Sequence, residues 1–186
     1  MRIIFKYFLV FRYRFNGLLL KFYLRACGCS VGKGLKVLRF PTFKDIPNAN
    51  IVLGDRVSIG RGVIFEIPKG GSLKIGNQVT IGDYNRLSTI DHIEIGDRTA
   101  IGENVSIRGS FHGVEKSTPI IEQPSHGMPI SIGKDVLIGA YTVVLQGSKI
   151  PDGAVIGAKS LVRSGDELNS YGIFAGTPLK LIRFRE

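Results

Sequence analysis

The chain has 186 residues, with 25 Lys and Arg against 15 Asp and Glu, and its formal charge of +10 is unevenly placed. Ten of the basic residues fall in 1–44, ahead of the first carboxylate, Asp45, so 45–186 carries fifteen of each sign and is neutral. This excludes a basic globule that coats nucleic acid, whose positive footprint would lie on the folded domain itself, and the two cysteines, Cys27 and Cys29, exclude a disulfide scaffold and suit a reducing compartment.

Residues 1–25 are apolar and aromatic, but Lys6, Arg12, Arg14 and Lys21 interrupt them. No run approaches the ~18–20 apolar residues that span a bilayer, and charges inside the apolar stretch fit a cleaved signal peptide poorly. As a helix at about 100° per residue, Arg2, Lys6, Arg14, Lys21 and Arg25 share a sector of roughly 140°, with Ile4, Phe8, Phe11, Phe15, Leu18, Leu19 and Phe22 opposite. Two readings stay open. The segment is a helix lying in an anionic membrane interface, or it is a helix packed on the rest of the protein or a subunit neighbour. The second is favoured by Val10, Leu20 and Leu24, which break the basic face, and by Gly17, which weakens an isolated helix.

From Leu53 onward an aliphatic residue followed by glycine recurs at intervals of six, in nine pairs from Leu53-Gly54 to Ile156-Gly157. Phe65, Leu87, Ile107, Val144, Ile150 and Val162 continue the beat without glycine. Neither a helical period nor simple strand alternation gives this spacing, whereas a hexapeptide β-helix does. Each hexapeptide supplies one short strand and a turn, three make a triangular coil, and stacked coils bury a column of Ile, Leu and Val. Coils begin at Leu53, Ile75, Ile95, Ile132 and Ile150, and the extra residues at 68–74, 90–94 and 113–131 should all leave from one corner. The longest excursion is the place to look for chemistry.

The pairs, together with the stretch from Asp135 to Glu186 containing LIGAYTVV, VIGAKSLV and AGTPLKLIR, resemble the hexapeptide-repeat acyltransferases, in the branch that O-acetylates sugars and polysaccharides. The resemblance covers 51–186. It implies an all-β fold, a left-handed parallel β-helix of about five coils with an N-terminal amphipathic helical segment and a short C-terminal tail. Three stretches follow: a basic amphipathic segment 1–44, a hexapeptide-repeat β-helix 45–167 with an active-site loop 113–131, and a C-terminal tail 168–186 on the coenzyme A side. The resemblance also implies a homotrimer with active sites between subunits.

In that family the large loop begins with a catalytic histidine, which matches His112 in GSFHG, although the preceding D-H of the family motif is Gly109-Ser110 here. Its role would be to take the proton of an attacking hydroxyl, oriented by one of Glu115, Glu122, Asp83 and Asp91. His126, in the same loop, is a loop or substrate-side residue, and His92 is a corner residue. Asn85 matches an acceptor-contacting Asn of the sugar-acetylating relatives, and it would equally serve as a turn residue. The resemblance gives Ala140, Ala158, Lys159, Ser160, Arg163, Lys180 and Arg183 to the coenzyme A groove, with an Ala140 backbone N–H as the guess for the oxyanion donor. Leu137 stands where relatives often have Trp.

The expected activity is an acetyl-CoA-dependent O-acetyltransferase acting on a sugar hydroxyl or lipid-linked glycan in surface polysaccharide assembly, such as O-antigen or capsule, with acetyl-CoA as acyl donor and no metal. Transfer would be direct, since neither cysteine lies in the repeats as an acyl carrier. The protein would be cytoplasmic, and for a lipid-linked acceptor residues 1–25 would hold it peripherally at the inner membrane; no nucleic acid is expected. Two other classes remain: a γ-carbonic-anhydrase-like zinc enzyme, for which the histidine spacing is wrong, and a catalytically silent β-helix scaffold.

Overall fold

A computed structural model describes the backbone of residues 2–186 and the side chains of residues 10–186. Three parallel sheets form the walls of a triangular solenoid. Sheet A stacks Ser30–Val31, Ile51–Leu53, Ser72–Ile75, His92–Ile95, Ile130–Ile132 and Lys149–Ile150. Sheet B stacks Lys36–Val37, Ser58–Ile59, Thr80–Ile81, Ala100–Ile101, Leu137–Ile138, Val155–Ile156 and Gly172–Ala175, then takes Lys180–Phe184 antiparallel on its last edge. Sheet C stacks Thr42–Phe43, Ile64–Glu66, Arg86–Ser88, Ser106–Arg108, Val143–Leu145 and Leu161–Val162.

The β-solenoid is therefore as expected, but it has six complete turns and a partial seventh rather than about five coils. The added first turn lies inside the stretch read as an N-terminal segment. Val31, Val37 and Phe43 pair in register with Leu53, Ile59 and Phe65, so the six-residue beat starts at Val31, where one aliphatic-Gly pair, Val31-Gly32, announces it. At the far end, among the described residues, sheet A has no seventh strand, and Phe174 closes the core by stacking over Ile156 in sheet B.

The glycines of the beat are required by close approach. A Cβ on Gly54 would lie 2.6 Å from the Gly76 carbonyl carbon, and one on Gly96 would lie 2.6 Å from that of Gly133. Consecutive turns meet backbone to backbone there. The left-handed backbone of the corners falls two residues later on non-glycine residues, among them Arg56, Tyr84, Tyr141 and Lys159, with φ between 57° and 60°.

Helix α1 (Arg2–Ala26) lies across the open N-terminal end of the solenoid. Leu20 and Leu24 are fully buried over the core of the first turns, and burial of this kind stabilises by about 1.5–3 kcal/mol per side chain. The first turn has no earlier turn to pair with, and α1 supplies donors to it. Lys21 Nζ donates to the Gly32 carbonyl at 2.7 Å, Arg25 Nη2 to that of Val31 at 2.8 Å, and Asn16 Nδ2 to those of Val37 and Leu38 at 3.3 and 3.2 Å. The packing-helix reading of residues 1–25 is thus realised from Asn16 onward, with Phe11, Phe15, Leu18, Leu19 and Phe22 exposed on the other side of α1; the side chains of residues 1–9 lie outside the described residues. Among the described residues, no helix is long and apolar enough to cross a membrane.

Gly17 sits where α1 touches the solenoid, and a Cβ there would fall on the Leu35 carbonyl oxygen. Ala is a better helix former than Gly by about 1 kcal/mol, yet this overlap lifts the helix off the core end. Gly17→Ala should lower stability by about 1–3 kcal/mol in denaturant unfolding; a stabilised variant would show that α1 does not seat as described.

Candidate active site

The three excursions all leave the solenoid between a strand of sheet C and the next strand of sheet A, at 67–71, 89–91 and 109–129. The longest is an arm. Its two sides, Ser110–His112 and Ser125–Gly127, pair antiparallel, with Ser110 opposite Gly127, Phe111 opposite His126 and His112 opposite Ser125. Gly109 N–H donates to the Ser88 carbonyl at 2.8 Å, and Met128 N–H donates to the Gly109 carbonyl at 3.0 Å, so the arm continues from the wall. The tip is tied by Gln123, which is nearly buried. Its amide donates to the Glu115 and Thr118 carbonyls at 2.8 and 2.6 Å and accepts from Glu115 N–H at 2.8 Å.

Strand alternation puts residues i and i+2 on one face, which separates the two histidines of the arm. Ser110, His112 and Ser125 line a cleft of about 280 Å³ between the arm and sheet C. Phe111 and His126 occupy the other face, ring centroids 5.5 Å apart. His112 Nδ1 is 3.4 Å from Ser125 Oγ, at the long end of hydrogen bonding. None of Glu115, Glu122, Asp83 and Asp91 bonds His112; the neighbour is Ser125, whose only sequence signal was an S-H-G able to fold back on S-F-H. His92 lies on the outer face of sheet A, its Nδ1 2.8 Å from Ser72 Oγ and its Nε2 3.9 Å from Glu94. Among the described residues, no three His, Cys, Asp or Glu side chains converge as a metal site requires.

The cleft floor is the outward row of sheet C. Glu66 pairs in register with Ser88, and Ser88 with Arg108. Glu66 accepts from Arg86 at 2.8 and 3.2 Å and pairs with Lys44 at 3.2 Å. Burial alone would push the Glu66 carboxyl up, but the hydrogen bonds from Arg86 and Lys44 outweigh it and hold the group below the usual carboxylate range. Arg108 makes no ion pair among the described residues and faces the cleft. Asp45 borders it.

Asn85 is not in this cleft. It is 1% exposed, its Nδ2 donates to the Gly82 and Gly102 carbonyls at 2.9 and 2.8 Å, and its Oδ1 accepts Val105 N–H at 2.7 Å. With both amide hydrogens engaged in joining two turns and the side chain buried, Asn85 does not face the cleft. The contact expected of Asn85 is replaced by a corner-forming role.

Of the residues expected along the coenzyme A groove, Ala140, Ala158, Lys159 and Ser160 share the corner between sheets B and C. Lys180, opposite Ala175, lies at its end. Ser160 is buried, donating to the Gly157 carbonyl at 2.7 Å and accepting Gly176 N–H at 3.0 Å. Arg163 follows the other end of its sheet C strand and pairs with Asp166 at 3.7 Å, and Arg183 lies farther along sheet B opposite Ile173. These two are not gathered with the rest.

The same corner carries an arrangement that spacing alone did not reveal. At several other corners the equivalent residue is Asp or Asn, whose side-chain oxygen accepts the backbone N–H one turn earlier. Asp83 does so for Arg61 at 2.9 Å, Asp97 for Asn77 at 2.7 Å and Asp152 for Lys134 at 2.7 Å. At Ala140 and Ala158 there is no such oxygen. Among the described residues no hydrogen bond uses the N–H of Glu103, Ala140 or Ala158, which leaves a column of free donors, one per turn. His112 and this column flank sheet C at its two edges.

Residues 129–164 match the bacterial transferase hexapeptide (six repeats) family. The chain is 31% identical over 157 residues to a protein of Mycobacterium tuberculosis named a probable acetyltransferase, a match covering 84% of this chain and only 50% of that relative. It is 28% identical over 160 residues to Escherichia coli WbbJ, which carries the name of a lipopolysaccharide biosynthesis O-acetyl transferase, covering 81% of this chain and 80% of the relative. The fold is shared with AntD, an N-acyltransferase from Bacillus cereus solved with dTDP and 3-hydroxybutyryl-CoA. That match has a TM-score of 0.74 and 23% identity, and covers 88% of this chain and 87% of AntD.

The depressed Glu66 carboxyl has a thermodynamic consequence. A carboxyl whose folded pKa lies below its unfolded value adds stability above the unfolded pKa and loses it as pH falls through the folded one. Glu66→Gln should therefore be less stable than wild type at neutral pH, with the gap closing below the ordinary carboxylate range; a gap that persists unchanged in acid would show that the ion pairs are not its source.

Proposed function

On the premise that the chain fits the hexapeptide-repeat acyltransferase family, we propose that it moves an acetyl group from acetyl-CoA to a hydroxyl of a sugar in surface polysaccharide assembly. The observation that carries this reading is the placement of one histidine facing a polar cleft at one edge of sheet C, with a column of free amide donors along the other edge. His112 is the general base. Ser125 Oγ holds Nδ1, leaving Nε2 to take the acceptor's proton as the hydroxyl oxygen attacks the thioester carbonyl. The oxyanion that forms is met by a backbone N–H of the column, with Ala140 the assignment, and its collapse expels the thiolate of coenzyme A, which recovers the proton from the imidazolium.

Extended pantetheine matches a column of donors repeated every ~4.8 Å, the spacing of paired strands. Lys159 and Lys180 supply positive charge at the same corner for phosphates. Direct transfer is favoured because Cys29, the nearer cysteine to the solenoid, is buried; burial pushes its thiol up, and it donates to the Asn48 carbonyl at 3.1 Å. Because the base and the donors lie at two different edges, a homotrimer that sets one copy's arm against a neighbour's corner would complete the site. The acceptor is a sugar or a lipid-linked glycan; for a lipid-linked acceptor the protein would work peripherally at an anionic membrane surface reached through α1.

With acetyl-CoA and candidate glycans, thiol release by His112→Ala should fall about 10²–10⁴-fold while acetyl-CoA still binds; release that continues unchanged would sink the mechanism. Ala140→Asp should restore the side-chain cap on Glu103 N–H and put a carboxylate in the groove. We expect the KM for acetyl-CoA to rise about tenfold or more, with the unfolding midpoint kept; an unaltered KM would move the groove elsewhere.

A further inference from the structure

Helix α1 has three sides. At 100° per residue Leu20, Leu24 and Gly17 fall within about 60° of one another and face the solenoid. Phe11, Phe15, Leu18, Leu19 and Phe22 occupy a sector of about 100° centred opposite, and they are bare, with Phe11, Leu18 and Phe22 65%, 66% and 78% exposed. Arg14, Lys21 and Arg25 form a seam between the buried and the bare sides. This seam opens into a cleft of about 450 Å³ between α1 and the first two turns.

The cleft is lined by Arg14 and Lys21 from the helix and by Lys36 and Arg56 from the solenoid, with Leu18 and Leu35 beside them and no carboxylate. Asp55, next to Arg56 in the chain, is turned to Lys33 N–H at 2.7 Å. Arg14, Lys36 and Arg56 form no ion pair among the described residues, while Lys21 spends one donor on Gly32. Arg56 also borders a second cleft with Asp55 and Asp97, but four cations without an ion pair around one cavity repel one another unless an anion is present. An isolated anion site would not need an aromatic face at its rim.

We propose that α1 and this cleft dock the protein on a bilayer of anionic phospholipid, the bare aromatic face entering the acyl boundary and the headgroup phosphate sitting among Arg14, Lys21, Lys36 and Arg56. A helix lying in the interface sinks its apolar side about 5–10 Å and leaves its flank at headgroup depth, which is where the basic seam lies. The proposal deepens the peripheral-membrane reading given above and is independent of the acyl-transfer chemistry. Deleting α1 would uncover the core, so substitutions that leave its packing intact are the test.

The full chain is to be co-sedimented with vesicles of phosphatidylcholine alone and of phosphatidylcholine with phosphatidylglycerol at 3:1, with acetyl-CoA binding measured in parallel. Wild type should bind the anionic vesicles, and Lys36→Gln/Arg56→Asn should bind them about tenfold or more weaker. Asn tolerates the left-handed backbone of position 56, and an unfolding midpoint equal to wild type confirms the fold. Arg14→Gln is a second variant on the helix side, and Phe15→Ser/Phe22→Ser should weaken binding to both vesicle types. Equal affinity of the charge variants for anionic vesicles, equal binding of wild type to neutral ones, or binding of inorganic phosphate without any vesicle binding would overturn the proposal. Loss of acetyl-CoA binding in wild type would count against the acyl-transfer reading alone.

Discussion

The interaction on which the rest of this structure depends is the backbone hydrogen bonding between successive turns. Gly32 donates to Leu53, Gly54 to Ile75 and Gly96 to Ile132, each at 2.8 Å, and the same exchange recurs along all three walls. Each turn is thereby held at strand spacing from the next, so the inward residues form one continuous column from Val31 to Phe174 and the glycines must face backbone at less than van der Waals room for a side chain. A ladder of this kind has two unfinished ends, and unpaired edges invite pairing with other chains. Here each end is finished in part by something other than another turn. Helix α1 covers the first with side-chain donors and two leucines, and Lys180–Phe184 covers the last strand of sheet B by pairing antiparallel.

Regularity also explains where chemistry can be placed. A uniform wall offers satisfied backbone and alternating side chains, so a reactive arrangement has to come from a departure. One departure is an insertion: the arm interrupts the passage from sheet C to sheet A and carries His112 out over the Glu66, Ser88 and Arg108 row. The other is a deletion of side chains. Alanine at two corners, where several other turns carry a capping Asp or Asn, leaves no side-chain acceptor for the N–H one turn earlier. An exposed donor costs little at a solvated corner and becomes useful when an extended ligand lies along it.

The N-terminal helix combines two roles that looked like alternatives. Facing inward it is a packing helix, and its Lys21 and Arg25 serve the carbonyls of the first turn; facing outward it leaves an aromatic surface with a basic seam at its margin. Part of the excess positive charge, Lys21 and Arg25, finishes a β-ladder, and part, Arg14 and Lys36, lines a cleft beside an apolar face.

The period-six beat made the solenoid legible because each turn repeats the same local choices: an inward aliphatic residue, a glycine where backbones meet, and a corner. Even the corner that releases the arm followed from the residues left over in each turn. The first turn is not legible in the period because its second and third positions, Val37 and Phe43, lack the glycine, although the ladder seats them on Ile59 and Phe65. What the sequence alone determined is therefore the repeated part and the uneven placement of charge. Tertiary structure decided the rest. Whether His112 or His126 meets the cleft depends on a pairing across the arm, with Ser125 thirteen residues from His112. Whether Asn85 is free depends on the turns above and below it, and the sides of α1 are assigned by the contacts of Gly17, Leu20 and Leu24 with the solenoid. Periodicity acts through neighbouring residues and can be read along a chain, whereas the facing of a side chain outside the repeat is set by partners that the chain brings together only on folding.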